Sequence, residues 1–195
     1  MMTATQKSSD RELICYYQNG NDKAFEELLS RHQNKIYTSI LLMVKDASTA
    51  DDLFQETFIR IVDKLRNNRY NDEGKFLPWA MRVAYNLCVD YFRKLKRTPS
   101  NPTSMDYDIS LYDKPEGNNI ETKLDQTETF ESIQNILFQL PPEQRDVVIL
   151  RHYSDLSFKD IADLTDVSIN TALGRMRYAL LNMKKIMSDN EISFN

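Results

Sequence analysis

Residues 156–187, LSFKDIADLTDVSINTALGRMRYALLNMKKIM, read as two short helices joined by a tight polar turn. Ser157 followed three residues on by Asp160 has the form of a capping box, a hydroxyl at the N-cap and a carboxylate at N3. Ile161, Ala162 and Leu164 give the first helix a small apolar face. Thr165-Asp166 breaks it, because Asp tolerates left-handed backbone angles better than most residues. Ser168 offers a second N-cap. Ala172, Met176, Ala179, Leu180, Met183 and Met187 then recur near a 3.6-residue period. The polar side carries Asn170, Thr171, Arg175 and Arg177, with Lys184 and Lys185 further on. The pattern is a helix-turn-helix whose cationic second helix suits the major groove. An ordinary helical hairpin with solvated charges would look similar, so the rest of the chain has to decide between them.

At 195 residues the chain suits one or two small domains. Only 4 Gly and 6 Pro favour helices over a turn-rich β fold. The polar N-terminus, MMTATQKSSDRE, lacks the apolar segment of a signal peptide, and no run of about 18 apolar residues occurs, so membrane insertion is not expected. Cys15 and Cys88 stand apart in apolar helical surroundings, as buried reduced thiols of a cytoplasmic protein would. His32 and His152 are isolated too, so neither metal nor cofactor is expected. The net charge of −4 is unusual for a DNA binder, because phosphate neutralisation dominates affinity. Either positive charge is concentrated locally or a partner supplies the missing affinity.

Upstream, Ser9 with Glu12 forms another capping box, opening a short helix that carries Leu13, Ile14, Tyr16 and Tyr17 and closes at Gly20. Asp22 caps a helix over about 23–45 whose apolar stripe is Phe25, Leu28, Leu29, Ile36, Tyr37, Ile40, Leu41 and Val44. Ser48, with Asp51 three residues on, starts a third helix that turns Leu53, Phe54, Phe58, Ile61, Val62 and Leu65 inward. Residues 67–75 are a polar loop, and Pro78 at a first-turn position opens a fourth helix to about residue 96, with an apolar series from Trp79 to Leu95. Four helices with short connections make one N-terminal bundle, residues 1–97.

The composition then shifts. Residues 98–125 contain Pro99, Pro102, Pro115 and Gly117, six acidic residues against Lys114 and Lys123, and no apolar period. This is the composition of a flexible linker that, fully extended, spans roughly 90 Å. Helices resume with Phe130, Ile133, Ile136, Leu137 and Leu140, stop at Pro141-Pro142, and continue through 143–152 into the helix-turn-helix. The expected architecture is all-α: two small helical domains (1–97 and 126–188) joined by the linker 98–125, the second carrying the helix-turn-helix, with a tail at 189–195.

Charge is polarised within the N-terminal half. Residues 90–97, DYFRKLKR, carry four basic residues, five with Arg82, against Asp90. Interleaved aromatics such as Trp79, Tyr85, Tyr91 and Phe92 suit opened nucleic acid, though Trp79 and Tyr91 also fit the core stripe. The helix from Ser48 opens instead with an acidic-polar ridge, Asp51, Asp52, Gln55 and Glu56. Helix-dipole stabilisation alone would favour acids there.

Taken together, these segments resemble the sigma-70 family of bacterial transcription initiation factors, specifically its small two-domain extracytoplasmic-function (ECF) group. Residues 50–58, ADDLFQETF, look like region 2.2, which docks on the β′ clamp helices of RNA polymerase. Phe76-Leu-Pro-Trp79, with Arg82, Ala84, Asn86, Asp90 and Arg93, is similar to regions 2.3 and 2.4, which melt and read the −10 element. Leu140-Pro-Pro-Glu-Gln-Arg145 and the helix-turn-helix resemble region 4, which reads the −35 element. The chain departs from the usual pattern at Phe54 (commonly aliphatic), Asp160 (Glu), Asp166 (a turn Gly) and Ala172 (Val). Leu173 and Gly174 also stand where polar residues are common.

The resemblance implies that Asp51, Asp52, Gln55, Glu56 and Phe58 bind core polymerase, with the β flap as a second contact. It implies that Tyr70 and Asn71 capture an unstacked −10 base, and that Asn86, Arg93, Lys94 and Arg97 hold the opened strand and upstream phosphates. Ser168, Asn170, Thr171, Arg175 and Arg177 would contact the −35 duplex. Promoter DNA and core polymerase are the implied partners, and an anti-sigma factor is a third class. The alternative is a stand-alone helix-turn-helix regulator that binds duplex without polymerase. An enzyme is not expected, since there is no phosphate-binding glycine loop, paired ligand spacing or nucleophile–base pattern.

Overall fold

The structure, a computed structural model, describes residues 8–67, 69–70, 74–97 and 130–190. The expected linker at 98–125, Asn71 and most of the expected tail lie outside the described residues. Among those described, the regular structure is entirely α-helical. The helices are α1 (Asp10–Gln18), α2 (Asp22–Val44), α3 (Ala47–Arg66) and α4 (Phe76–Arg97), then α5 (130–138), α6 (Pro142–His152), α7 (Phe158–Thr165) and α8 (Ile169–Asp189).

Local signals set most of the boundaries. The Ser9–Glu12 and Ser157–Asp160 capping boxes both form, and the Ser168 side chain accepts from the Thr171 N–H. Each such cap satisfies an amide the helix cannot, contributing about 1 kcal/mol. Asp166 closes α7 in the left-handed region at φ 54°, as its polar side chain permits. Two boundaries differ from expectation. Asn21, without a side-chain cap bond, precedes α2, so Asp22 is its first helical residue. Asp46 rather than Ser48 caps α3, accepting from the Thr49 N–H. Helix α4 begins at Phe76, so Pro78 lies in the first turn as expected, where its missing N–H breaks no helical bond.

Helix α2 is the spine. It packs against α1, α3, α4 and α6, so the far half of the helix is buried on most sides, Leu42 and Met43 as completely as Ile36 and Ile40. Arg31 and His32 of α2 both reach Asp10 of α1, at 3.0 and 2.6 Å. In the second half, α8 packs against α6 and α7, burying Ala172, Met176 and Ala179. Several apolar residues expected inside are not there: Tyr16, Leu95 and Leu180 are about half exposed, and Cys15 is exposed. In each case the helical period continues but no neighbouring element covers that position. Cys88 is buried as expected, and that burial pushes its thiol up to about 12.

The two halves are docked. The Tyr85 hydroxyl of α4 donates to Asp146 Oδ2 of α6 at 2.9 Å. Burial, then the Asp146 carboxylate, hold Tyr85 above the usual phenol range. Burial likewise raises Asp146, with Arg145 and the Tyr85 donor pulling it back. Ser154 Oγ lies 2.8 Å from Ser39 Oγ, whose own proton goes to the Lys35 carbonyl. Lys35 pairs with Asp155, Lys45 Nζ donates to Asn135 at 3.2 Å, and Lys75 lies 3.5 Å from Asp160. Each of these hydrogen bonds and ion pairs across the join is made between side chains.

Candidate functional site

Three surfaces carry the chemistry expected from the sequence. The first is the start of α3. Asp51, Asp52 and Gln55 are exposed and Glu56 is half-buried, paired with Arg60 at 2.7 Å across one turn. Such an exposed pair contributes little to stability, about 0.3–0.5 kcal/mol. Asp51 lies beside Tyr37 of α2; burial first, then this carboxylate, push the Tyr37 hydroxyl up to about 12. Phe58 is half-buried against Phe54, with ring centres 4.8 Å apart, and Phe54 in turn meets Tyr37 edge-on. Gln55 and Phe58 open into a groove of about 720 Å³ that is also lined by Leu29, Ile59, Val62 and Asp63. Ile59 is 63% exposed. These apolar lining residues are absent from the expected set. Their signal in the sequence is Ile59, an apolar residue outside the inward stripe of α3.

The second surface is α4. Asn86, Arg93, Lys94 and Arg97 are all exposed. Arg82, Asn86, Arg93 and Arg97 recur at helical spacing and share one stripe. From Arg82 to Arg97 that stripe runs about 22 Å at 1.5 Å per residue, the span of several phosphates. Asp90 sits within it and pairs with Arg93 at 3.3 Å, with both side chains more than half exposed. Trp79, Tyr91 and Phe92 are partly buried against the core, as the core-stripe reading has it.

Tyr70 is placed differently from a base-capturing ring on a polar loop. It is buried, its ring centre 4.2 Å from that of Trp79, and Phe76 completes the cluster. Lys64 Nζ lies over the Trp79 ring, 5.9 Å from its centre. The ring therefore ties the loop to the bundle in the free chain. Asn67, Arg69, Gly74 and Lys75 are the described loop residues that face solvent.

The third surface is the helix-turn-helix. Ser168, Asn170, Thr171 and Arg177 are exposed at the start of α8. The Ser168 and Thr171 hydroxyls lie 2.9 Å apart and the Ser168 oxygen takes the Thr171 amide, so this pair also holds the helix end. Arg175 is half-buried, and its charge lowers both Tyr85 and Asp146, which places it toward the join with α4 rather than outward. The outward face instead includes Ile169 and Leu173, 45% and 44% exposed, and further on Tyr178, Leu180 and Leu181. No helix among the described residues is long and apolar enough to cross a membrane.

Two family models match the chain, sigma-70 region 2 over residues 28–98 and sigma-70 region 4 over residues 130–180, together more than half of its length. The ECF RNA polymerase sigma-E factor of Haemophilus influenzae is 28% identical over 180 residues, 88% of this chain and 91% of that protein. The ECF RNA polymerase sigma factor SigM of Bacillus subtilis is 29% identical over 158 residues, 80% of this chain and 91% of that protein. Among solved structures, CnrH in complex with the cytosolic domain of CnrY matches with a TM-score of 0.68 at 18% identity, over 93% of this chain and 99% of that one. RpoE from Bartonella quintana, in complex with the anti-sigma factor NepR, gives the same TM-score and identity over 85% of this chain and 98% of that one. At that identity these two likenesses speak for the helical fold. The acidic ridge, the basic stripe and the helix-turn-helix occur in the order of the family's regions, and the chain belongs to the sigma-70 family, in its ECF group of RNA polymerase sigma factors.

Proposed function

We propose that this chain is the promoter-specificity subunit of a bacterial RNA polymerase: it binds core polymerase, directs it to −10 and −35 elements, and opens the duplex. The observation that carries this reading is the pairing, on one net-negative chain, of an exposed basic stripe on α4 with a helix-turn-helix at α7–α8. Two weak cationic grips are expected to bind DNA usefully only when a third body joins them and adds contacts. The acidic start of α3 and its adjoining apolar groove are the surface for that body. The stand-alone regulator is disfavoured because it would need tight duplex binding from a chain of charge −4.

In this reading residues 1–97 form the region 2 unit, 98–125 the linker, 126–188 the region 4 unit and 189–195 a tail. Asp51, Asp52, Gln55, Glu56 and Phe58 dock on polymerase. Asn86, Arg93, Lys94 and Arg97 follow the opened strand and its phosphates, with Asn71 contributing from the loop. Tyr70 reaches a base only by leaving Trp79. Ser168, Asn170, Thr171 and Arg177 meet the −35 duplex, and Arg175 joins them once the two halves separate. The chain itself supplies no catalytic step, strand synthesis being the polymerase's. It acts where polymerase and chromosome are, in the cytoplasm. An anti-sigma factor, such as the one bound to the Bartonella relative, is the third partner class.

The test is charge reversal. Asp52→Lys with Glu56→Lys is expected to weaken co-purification with core polymerase at least tenfold while helix content and melting temperature stay near native, since Asp52 is exposed and the Glu56–Arg60 surface pair contributes little to stability. Native-level co-purification would remove these residues from the docking role.

A further inference from the structure

Gly174 is the sixth residue of the 21-residue helix α8. Glycine inside a helix loses more backbone freedom than any other residue and is less favourable than alanine. The fold gives no compensating reason for it. Beyond the helix's own neighbouring backbone, no atom lies within 4 Å of where a Cβ would stand, and the residue is not among the positive-φ glycines. Nothing in the free chain therefore requires a missing side chain at this point.

What surrounds it points outward. Asn170, Arg177 and Tyr178 stand one turn before and one turn after Gly174 on the same helical face, Leu173 flanks that face at its edge, and all four are exposed. The first half of α8 thus presents a notch with an amide and a guanidinium along its length and an apolar side chain at its edge. A notch between longer side chains lets a helix backbone come close to a partner surface. Amide and guanidinium groups are the usual donors to purine edges in the major groove, and the apolar group that groove offers on a base edge is the C5-methyl of thymine.

We propose that Leu173 and Gly174 form the specificity-determining point of the −35 contact: Gly174 admits a close approach of α8 to the base edges, and Leu173 packs on a thymine methyl. This rests on the reading of α8 as the −35 helix.

The experiment uses holoenzyme assembled from the full chain and core polymerase, which selects promoter duplexes from a pool randomised across the −35 element. Each thymine of the selected sequence is then replaced by deoxyuridine, which keeps its pairing and lacks the methyl. One such replacement is expected to weaken binding three- to tenfold. Leu173→Ala should lose the same factor and become indifferent to that replacement. Gly174→Ala should raise the melting temperature of the free chain yet weaken −35-dependent binding at least fivefold, a combination that a purely structural glycine would not give. Indifference to deoxyuridine at every position, or native affinity in Gly174→Ala, overturns the proposal. Loss of polymerase binding in Gly174→Ala would assign the notch to a protein and overturn it too. A selection that returns no −35 preference brings down the reading of α8 itself, and this inference with it.

Discussion

Helices α4 and α8 are of nearly equal length, 22 and 21 residues, and each carries a row of basic side chains. They dispose of their apolar residues in opposite ways. In α4, Phe76, Ala80, Met81, Val83, Ala84, Leu87 and Cys88 are buried, and Leu95 is the large apolar residue left half exposed. In α8 the buried set is small, Ala172, Met176 and Ala179, while Ile169, Leu173, Tyr178, Leu180 and Leu181 face solvent. The reason is the number of neighbours. Helix α4 packs against α2 and α3 and meets α6 through Tyr85, whereas among the described residues the main packing of α8 is against α6 and α7. The first helix is completed by its own fold and works through a polar stripe. The second leaves large apolar side chains facing solvent, and contiguous exposed apolar patches mark interaction sites.

The sharpest way to break this comparison is to shorten one side chain on each helix. Met81 on α4 is fully buried and Leu181 on α8 is 55% exposed. Met81→Ala should cost about 2–5 kcal/mol in urea unfolding. Leu181→Ala should stay within about 0.5 kcal/mol of native. A Leu181→Ala cost as large as that of Met81→Ala would mean the face is already covered in the free chain, and the contrast would fail.

A smaller effect is expected at the join between the halves. Asp146 is half-buried at the join and its carboxyl is raised above 3.8, chiefly by desolvation. The folded state therefore holds this proton at pH values where the unfolded chain has released it, so this group's contribution to stability falls as pH rises from 3.8 through the raised value. Asp146→Asn keeps an acceptor for the Tyr85 hydroxyl and cannot ionise. Thermal melts from pH 4 to pH 7 should show the native chain losing stability relative to Asp146→Asn as pH rises. A gap of the opposite sign, with the native chain gaining on the variant, would contradict the burial of an ionisable group at this join.

How far the molecule was legible from its sequence follows the same division between local and distant causes. Capping boxes at Ser9 and Ser157, the cap at Ser168 and the left-handed Asp166 depend on residues within a turn, and all are found. Where two local signals compete, the boundary moves: Asp46 and Ser48 can both cap α3, and Asp46 does so. Periodicity places Leu95 and Leu180 inward, yet no element lies across from them. It leaves out Leu42 and Met43, which are buried because α2 is enclosed by several helices, α6 of the other half among them. At the candidate site, the acidic ridge and the basic stripe are legible as runs of charge. Tyr70 is not, because nothing in its polar neighbourhood signals that the ring packs on Trp79 across the loop. The Tyr85–Asp146 bond has no local signature either, joining residues 61 apart.

The central claim is that promoter opening needs this chain and core polymerase together, and its most direct test reads strand separation itself. A promoter duplex carrying a fluorescent base analogue in the −10 element is mixed with the chain alone, with core polymerase alone, and with both at fixed salt. The account predicts an opening signal with both and none with either alone, the free chain binding the duplex weakly. Tight, specific binding by the chain alone with no opening when polymerase is added would contradict it.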